Sequence, residues 1–184
     1  MVNSRGFDNI NYVGTDLGFF ELNTRNASVR KIEESIFNSF NEVYDLNLDY
    51  LNNCIWIGSK NGLYKYNLST EQLENLGDSA TKRIGTVFSI KKDNMQNLYL
   101  ASISGLWRYN IKERLFRKYD AQDGLLIDEF GLGASAKFKD GRIAFGGAKG
   151  AVIFNPIELI KDKPISDIFI SNFQVNGKEP DSLT

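Results

Sequence analysis

The chain has 184 residues, of which 42% are apolar, and 22 lysines and arginines stand against 23 aspartates and glutamates. That is enough apolar material for a sizeable core, a near-neutral balance with no general attraction for nucleic acid, and no apolar run that reads as a membrane span or a secretory leader, so the chain is expected to be soluble. Zero histidines remove a phosphoacceptor histidine, a histidine-based metal site and a Ser-His-Asp triad, and Cys54, being alone, cannot form an internal disulfide.

The first strand-like segment is Asn11 to Asn23, two apolar runs joined by a short link between Gly14 and Gly18. Few residues precede it, so this copy is expected to begin at its second strand. Lys31 to Phe40 reads either as a short helix through Ile32, Ile36 and Phe40 or as a connection. Val43 to Leu48 is a strand closing on Asp49, and Ile55 to Asn67 is a second hairpin linked between Gly58 and Gly62. A more polar run at Leu73 to Leu76 follows. The same order then returns: Thr86 to Lys91 closing on Asp93, the hairpin Leu98 to Asn110 around Ala101 and Gly105, and the run Leu115 to Tyr119. It returns once more as Ser135 to Lys139 closing on Asp140, then Ile143 to Asn155 around Gly146 and Gly150.

The second small residue of each pair, Gly18, Gly62, Gly105 and Gly150, recurs every 43 to 45 residues. A unit of that length holds four short antiparallel strands, the size of one β-propeller blade. The invariant second glycine is expected at a turn needing positive φ. The first position accepts Ala101, so small size is expected to matter there, with a large neighbour such as Trp56 or Trp107 from an adjoining sheet packed over it. One blade cannot bury itself, and Trp56, Tyr99, Trp107 and Phe145 are predicted core residues.

These observations predict an all-β chain: residues 1–156 form a β-propeller fragment of about three and a half to four four-stranded antiparallel blades, centred on Gly18, Gly62, Gly105 and Gly150. The fourth copy lacks a clear outer strand, so a fragment of a larger ring is expected. A self-closing four-blade ring, with Ile168 to Val175 supplying the missing strand, is the alternative. Asn155, Pro156 and Glu158 read as the cap and first turn of a helix. Residues 157–184 read as a linker and the truncated start of an immunoglobulin-like domain, with a strand at Asp167 to Val175 and a turn at Asn176 and Gly177.

The chemistry offers little for catalysis. Asp123, Asp128 and Glu129 cluster in sequence, but Asp128 and Glu129 are consecutive, and in extended backbone they point oppositely. Solvated or turn-capping acids are expected, and no catalytic residue is assigned. The run from Asp120 fails the calcium-loop pattern because Leu125 stands where glycine is required, and no metal site or cofactor is expected. The glycines around Lys149 fall in register with the other hairpin turns rather than forming a phosphate cradle. The sequons at Asn26 and Asn67 matter only in a glycosylating host. Ligand contacts are expected on polar blade-end loops, Gly77 to Gly85 and Asp120 to Gly133, without individual residues being assigned. Sugar binding would call for exposed aromatics beside paired hydrogen-bonding side chains.

The segments Leu98 to Ser102 with Gly105 to Asn110, and Asp123-Gly124-Leu125 with Glu129-Phe130, Gly141 to Gly147, Gly150 and Phe154 to Pro156, resemble the last blades of the two-component regulator propeller. Asp128 stands where that family commonly carries asparagine. The tail Ile168 to Lys178 is similar to the first strand of the triple-tyrosine domain that follows such propellers. This resemblance implies the periplasmic sensor region of a Bacteroidetes hybrid histidine kinase, recognising a carbohydrate breakdown product and transmitting the signal. It implies an oligosaccharide ligand in the parent protein, and the remaining blades and the downstream β domain as partners. A homodimer is compatible with it; no nucleic acid and no membrane span in this chain are expected. A protein-interaction scaffold and a propeller glycosidase or lyase are the rival readings.

Overall fold

The fold comes from a computed structural model that describes residues 2–5, 9–32, 42–76, 84–125 and 127–160. The expected helix or connection at Lys31 to Phe40 falls mostly outside these, as do most of the Gly77 to Gly85 loop and the whole tail carrying the strand at Asp167 to Val175.

Among the described residues, fifteen strands form four antiparallel sheets, each built from strands consecutive in the chain. The first contains β1 (Val2–Arg5), β2 (Ile10–Thr15), β3 (Gly18–Asn23) and β4 (Ser28–Ile32). The second contains β5 (Val43–Asp49), β6 (Cys54–Ser59), β7 (Gly62–Asn67) and β8 (Leu73–Asn75). The third contains β9 (Val87–Lys92), β10 (Asn97–Ser102), β11 (Gly105–Asn110) and β12 (Leu115–Tyr119). The fourth has β13 (Ser135–Lys137), β14 (Ile143–Gly147) and β15 (Gly150–Phe154), followed by the short helix α1 (Pro156–Ile160). The architecture is that of β-propeller blades, with β1, β5, β9 and β13 adjoining one another in turn as the innermost strands.

Two sequence expectations need correction. The first copy does not begin at its second strand: the mostly polar Val2–Arg5 pairs with β2, from Val2 opposite Gly14 to Arg5 opposite Asn11. Its lack of apolar alternation hid it, because an innermost strand can be held by its ladder alone. The small residue at Gly14 is also not covered by a tryptophan. A Cβ there would fall 2.3 Å from Cγ1 of Val43, and one at Gly58 would fall 3.0 Å from Cγ1 of Val87. The small position therefore receives the β-branched residue that opens the next blade's inner strand.

Each hairpin turn has a local cause. Gly18, Gly62, Gly105 and Gly150 adopt φ of 121°, 118°, 113° and 136°, a region that disfavours any side chain. In the first three copies a hydroxyl closes the turn: Ser59 Oγ donates to the Gly62 carbonyl at 3.1 Å and accepts from the Asn61 N–H, and Thr15 and Ser102 repeat this. The asparagine ending each hairpin turns its side chain onto the following backbone. Asn67 Oδ1 accepts from the N–H groups of Ser69 and Thr70 at 2.9 Å, and Asn155 Oδ1 accepts from the Ile157 N–H at the start of α1.

The core lies between blades, not within them. Ile55 and Ile57 face Tyr12 and Phe19 of the first sheet, while Cys54 and Trp56 on the same strand face Leu98, Leu100 and Tyr109 of the third. Tyr99 and Ala101 in turn face Phe145 and Phe154 of the fourth. The strands β6 and β10, covered on both faces, are buried along their whole length. The predicted core residues Trp56, Tyr99, Trp107 and Phe145 are all buried, each contributing on the order of 1.5–3 kcal/mol or more by burial. Cys54 is also fully buried, and burial, aided by the charge of Asp49, pushes its thiol up to about 12. Iodoacetamide at pH 8 should therefore leave Cys54 intact in the native chain and modify it after unfolding in urea, as mass spectrometry would report.

Among the described residues, nothing covers the apolar outer faces of the first and fourth sheets. On the first, Leu17 and Val29 are 69% and 64% exposed and border a depression of about 770 Å³ with Val13, Phe20 and Leu22. On the fourth, Ile153 is 53% exposed.

Candidate functional site

The turns that follow the innermost strands of the second and third blades meet the end of β13 around an open cavity of about 540 Å³. Its wall includes Tyr50, Lys91, Lys92, Asn94, Gln96 and Lys137. These residues converge because blades stack one period apart. Lys92 and Lys137 hold the same place in successive copies, opposite Leu98 in β10 and Ile143 in β14 respectively.

Asp49 anchors the floor. Its side chain is 1% exposed and forms an ion pair with Lys92, whose side chain is 15% exposed, at 2.5 Å. Its other oxygen accepts from Trp56 Nε1 at 2.9 Å and from Asn52 Nδ2 at 2.7 Å. Burial works against its charge, and the hydrogen bonds from Lys92, Trp56 and Asn52 outweigh that, holding its carboxyl below the usual carboxylate range. Asn52 also donates to Gln96 Oε1 in the next blade at 2.8 Å, so the floor ties two blades together. A parallel tie joins Asp45 to the Ile90 N–H at 2.7 Å.

Asp93 is buried and engaged within its own turn, accepting from the N–H groups of Met95 and Asn97 and from Asn97 Nδ2, each at 2.8 Å. Lys137, exposed, reaches across from the fourth blade to donate to the Lys92 carbonyl at 2.9 Å and to Asn94 Oδ1 at 3.1 Å. No carboxylate pairs with it among the described residues. Tyr50, 61% exposed, stands at the rim. Among the described residues only Tyr50 and Phe138 are exposed aromatics, and Phe138 is covered on one side by Arg142, 5.3 Å from its ring centre.

The acids singled out in the sequence are held by different partners. Asp123 accepts from the Asp120 N–H and pairs with Arg117 at 3.1 Å, closing a short 3-10 turn (Ala121–Asp123). Glu129 pairs with Lys149 at 2.7 Å on the surface, and Asp128 is exposed. Asp140 holds its own turn through the Arg142 N–H. Among the described residues no group of three histidine, cysteine, aspartate or glutamate side chains is placed to hold a metal ion. The Asp120 to Gly133 loop is engaged in packing: Phe130 is buried against Phe145, and the Gly131 N–H donates to the Gly146 carbonyl at 2.9 Å.

No motif in the sequence singles out Tyr50, Lys91, Lys92, Asn94 or Lys137. The signal that could have found them is positional. Aligning the copies puts Lys92 and Lys137 in one column, which places both cations at the same end of neighbouring inner strands.

The class is thus a run of propeller blades with a polar cavity at the ends of its inner strands. Comparison with known proteins agrees. The extracellular domains of two B. thetaiotaomicron hybrid two-component systems each superpose with a TM-score of 0.69, at 17% and 19% identity, covering 86% and 84% of this chain and 23% and 20% of theirs. The C-terminal WD40 domain of Sif2 superposes with a TM-score of 0.59 at 16% identity, over 90% of this chain and 47% of that one. In sequence, the chain is 27% identical over 117 residues to Histidine kinase P4 of Formosa agariphila, covering 64% of this chain. The match spans only 8% of that kinase's length. No family model matches the chain. These likenesses show the propeller fold, and the proteins that carry them include a histidine kinase and extracellular domains of hybrid two-component systems.

Proposed function

We propose that this chain is a non-catalytic portion of the periplasmic sensor of a Bacteroidetes hybrid histidine kinase. In that role it contributes to recognition of a carbohydrate breakdown product and to transmission of the signal. The observation that carries the reading is the superposition of the blade stack on extracellular domains of hybrid two-component systems, together with the sequence match to a histidine kinase. The apolar outer faces of the first and fourth sheets support further blades of the same protein as neighbours, since Leu17, Val29 and Ile153 sit where a stacked sheet would cover them. The fixed cavity supports ligand binding. The separate pairing of Asp123 and Glu129 supports the absence of glycosidic chemistry, which needs two carboxyl groups facing one bond.

A screen of acidic and neutral oligosaccharides tests this reading. Saturable binding without turnover is the expected result. Turnover would replace the sensor with a glycosidase or lyase, and neither binding nor turnover would favour a protein-interaction scaffold.

A further inference from the structure

We infer that the outer face of the first sheet binds the outer face of the fourth sheet of a second copy, so that two chains close head to tail into one ring of eight blades. The inference deepens the sensor reading above, which places further blades of the same protein on these faces, by assigning those blades to a second molecule.

The register of the repeat carries the argument. Val13 pairs with Phe20 as Ile57 pairs with Tyr64, and Leu22 pairs with Val29 as Tyr66 pairs with Leu73. In the second sheet these four residues pack against Tyr12 and Phe19 of the preceding blade. The same four columns in the first sheet are also apolar, and they form the floor of the depression of about 770 Å³ beside Leu17. They are half of a blade junction. The fourth sheet departs from the repeat on its opposite face. The cross-strand pair that is Tyr12 and Glu21, Trp56 and Lys65, and Tyr99 and Arg108 in the first three sheets is Ala144 and Ile153 in the fourth. A large ring and a charge have given way to a methyl group and an exposed aliphatic chain. Ala151 likewise stands where Phe19, Leu63 and Leu106 stand in the other copies. Between the first and second sheets, the Tyr66 ring lies 5.7 Å from that of Tyr12 and 5.4 Å from that of Phe19. Leu22, in the Tyr66 column, would therefore meet Ala144, Ala151 and Ile153 of a second copy, a bulky apolar face seated on a shallow one.

Number and symmetry select the occupant. Among the described residues, the core clusters join the first sheet to the second, the second to the third and the third to the fourth, and none joins the fourth back to the first. The arc is open. Its span is 47% of the Sif2 WD40 domain on which it superposes, about half of a propeller. Closed propellers have about four to eight blades, so two chains of four sheets complete a ring and a third copy would exceed it. Head-to-tail contacts give a closed ring when the rotation returns on itself and a filament when it does not. With two copies both junctions are identical, and forming one brings the faces of the other together, so the pair closes cooperatively. Removal of both apolar faces from water drives it.

Sedimentation velocity of the full 184-residue chain over a wide range of concentration tests the inference. One associated species is expected, at the mass of two chains, with nothing larger. Leu22→Lys and Ile153→Glu put a charge on opposite end faces, and each should weaken the dimer by about tenfold or more, because a lone charge would be buried in the junction. Val29→Lys, at a more exposed position of the first face, should act as Leu22→Lys does, and circular dichroism checks that each variant is folded. Mixed in equal amounts, Leu22→Lys and Ile153→Glu chains should dimerise again: one junction is then unaltered and the other brings the two opposite charges together. Amide protection in the first and fourth sheets should rise with protein concentration toward that of β6 and β10, whereas denaturant should part the copies before either chain unfolds. A monomer at every concentration overturns the inference, as does growth into longer assemblies. A dimer broken by Leu22→Lys and untouched by a folded Ile153→Glu chain overturns it too, since that result sets two first sheets face to face. Saccharide binding by a chain that stays monomeric sinks this inference and leaves the sensor reading standing; a dimer that binds no saccharide does the reverse.

Discussion

Replacing Asp49 by alanine is expected to cost about 3–5 kcal/mol of folding free energy, the penalty for breaking a buried ion pair by removing one partner. The loss has three parts. Lys92, largely buried, is left without its counter-charge, the Trp56 indole N–H is left without its acceptor in the core, and the Asn52 bridge to Gln96 loses its anchor. Asp49→Asn should cost less, because an amide oxygen still accepts from Trp56. The two variants together therefore separate charge from hydrogen bonding in urea titrations. Acid should act the same way on the unaltered chain. Asp49 is held ionised more strongly when folded than its unfolded value of about 3.9, so its contribution is present above that pH and is lost as pH falls through the lower folded value. The Asp49→Ala chain should be less stable at neutral pH and lose less on acidification. A cost within about 0.5 kcal/mol, the range of an ordinary surface substitution, would contradict this account of the cavity floor.

Gly147→Ala is the second large effect, on the order of 3 kcal/mol, at the high end for overpacking. Copy four has glycine where the others carry the turn hydroxyl of Thr15, Ser59 and Ser102, and the reason is contact. A Cβ at Gly147 would lie 1.8 Å from the Glu129 carbonyl oxygen, so the backbone of the 127–131 segment would have to lift off β14. That would draw Phe130 out of its contact with Phe145 and break the Gly131–Gly146 hydrogen bond. Gly146→Ala is the control. The tightest contact of its Cβ would be the Ala134 Cβ at 3.3 Å, and a shift of a few tenths of an ångström relieves it, at a cost of about 1 kcal/mol or less. Equal stabilities for the two variants, measured by thermal unfolding, would show that this segment does not seat on β14 as described.

Most of the fold was legible because its determinants are local and repeated. The glycine with positive φ reads directly from four aligned copies, and the asparagine ending each hairpin recurs in all of them, its bonds to the following backbone appearing in the structure. The errors fell where a contact joins two copies. The partner of Gly14 and Gly58 is a valine about thirty residues on, at the opening of the next inner strand, and no in-copy pattern points to it. β1 was missed because its pairing to β2, not its own apolar rhythm, makes it a strand.

The cavity was less legible still. Lys92 and Lys137 sit in one column of the repeat, but whether either charge is available depends on which carboxylates the turns consume. Asp49, Asp93 and Asp140 look alike in sequence. Only the structure shows that Asp49 takes Lys92 while Asp93 and Asp140 are used within their own turns. The exposure of Tyr50, against the burial of Trp56 a few residues later, likewise follows from the turn and not from composition.

Native-state hydrogen exchange in increasing denaturant tests most directly whether the blades are stable only as a stack. The amides of β6 and β10, buried from both sides, should be the slowest in the chain and should converge on one unfolding transition together with β7 and β11. The uncovered end sheets should open below it. Four separate transitions, one per sheet, or slowest exchange in the first or fourth sheet, would contradict the account.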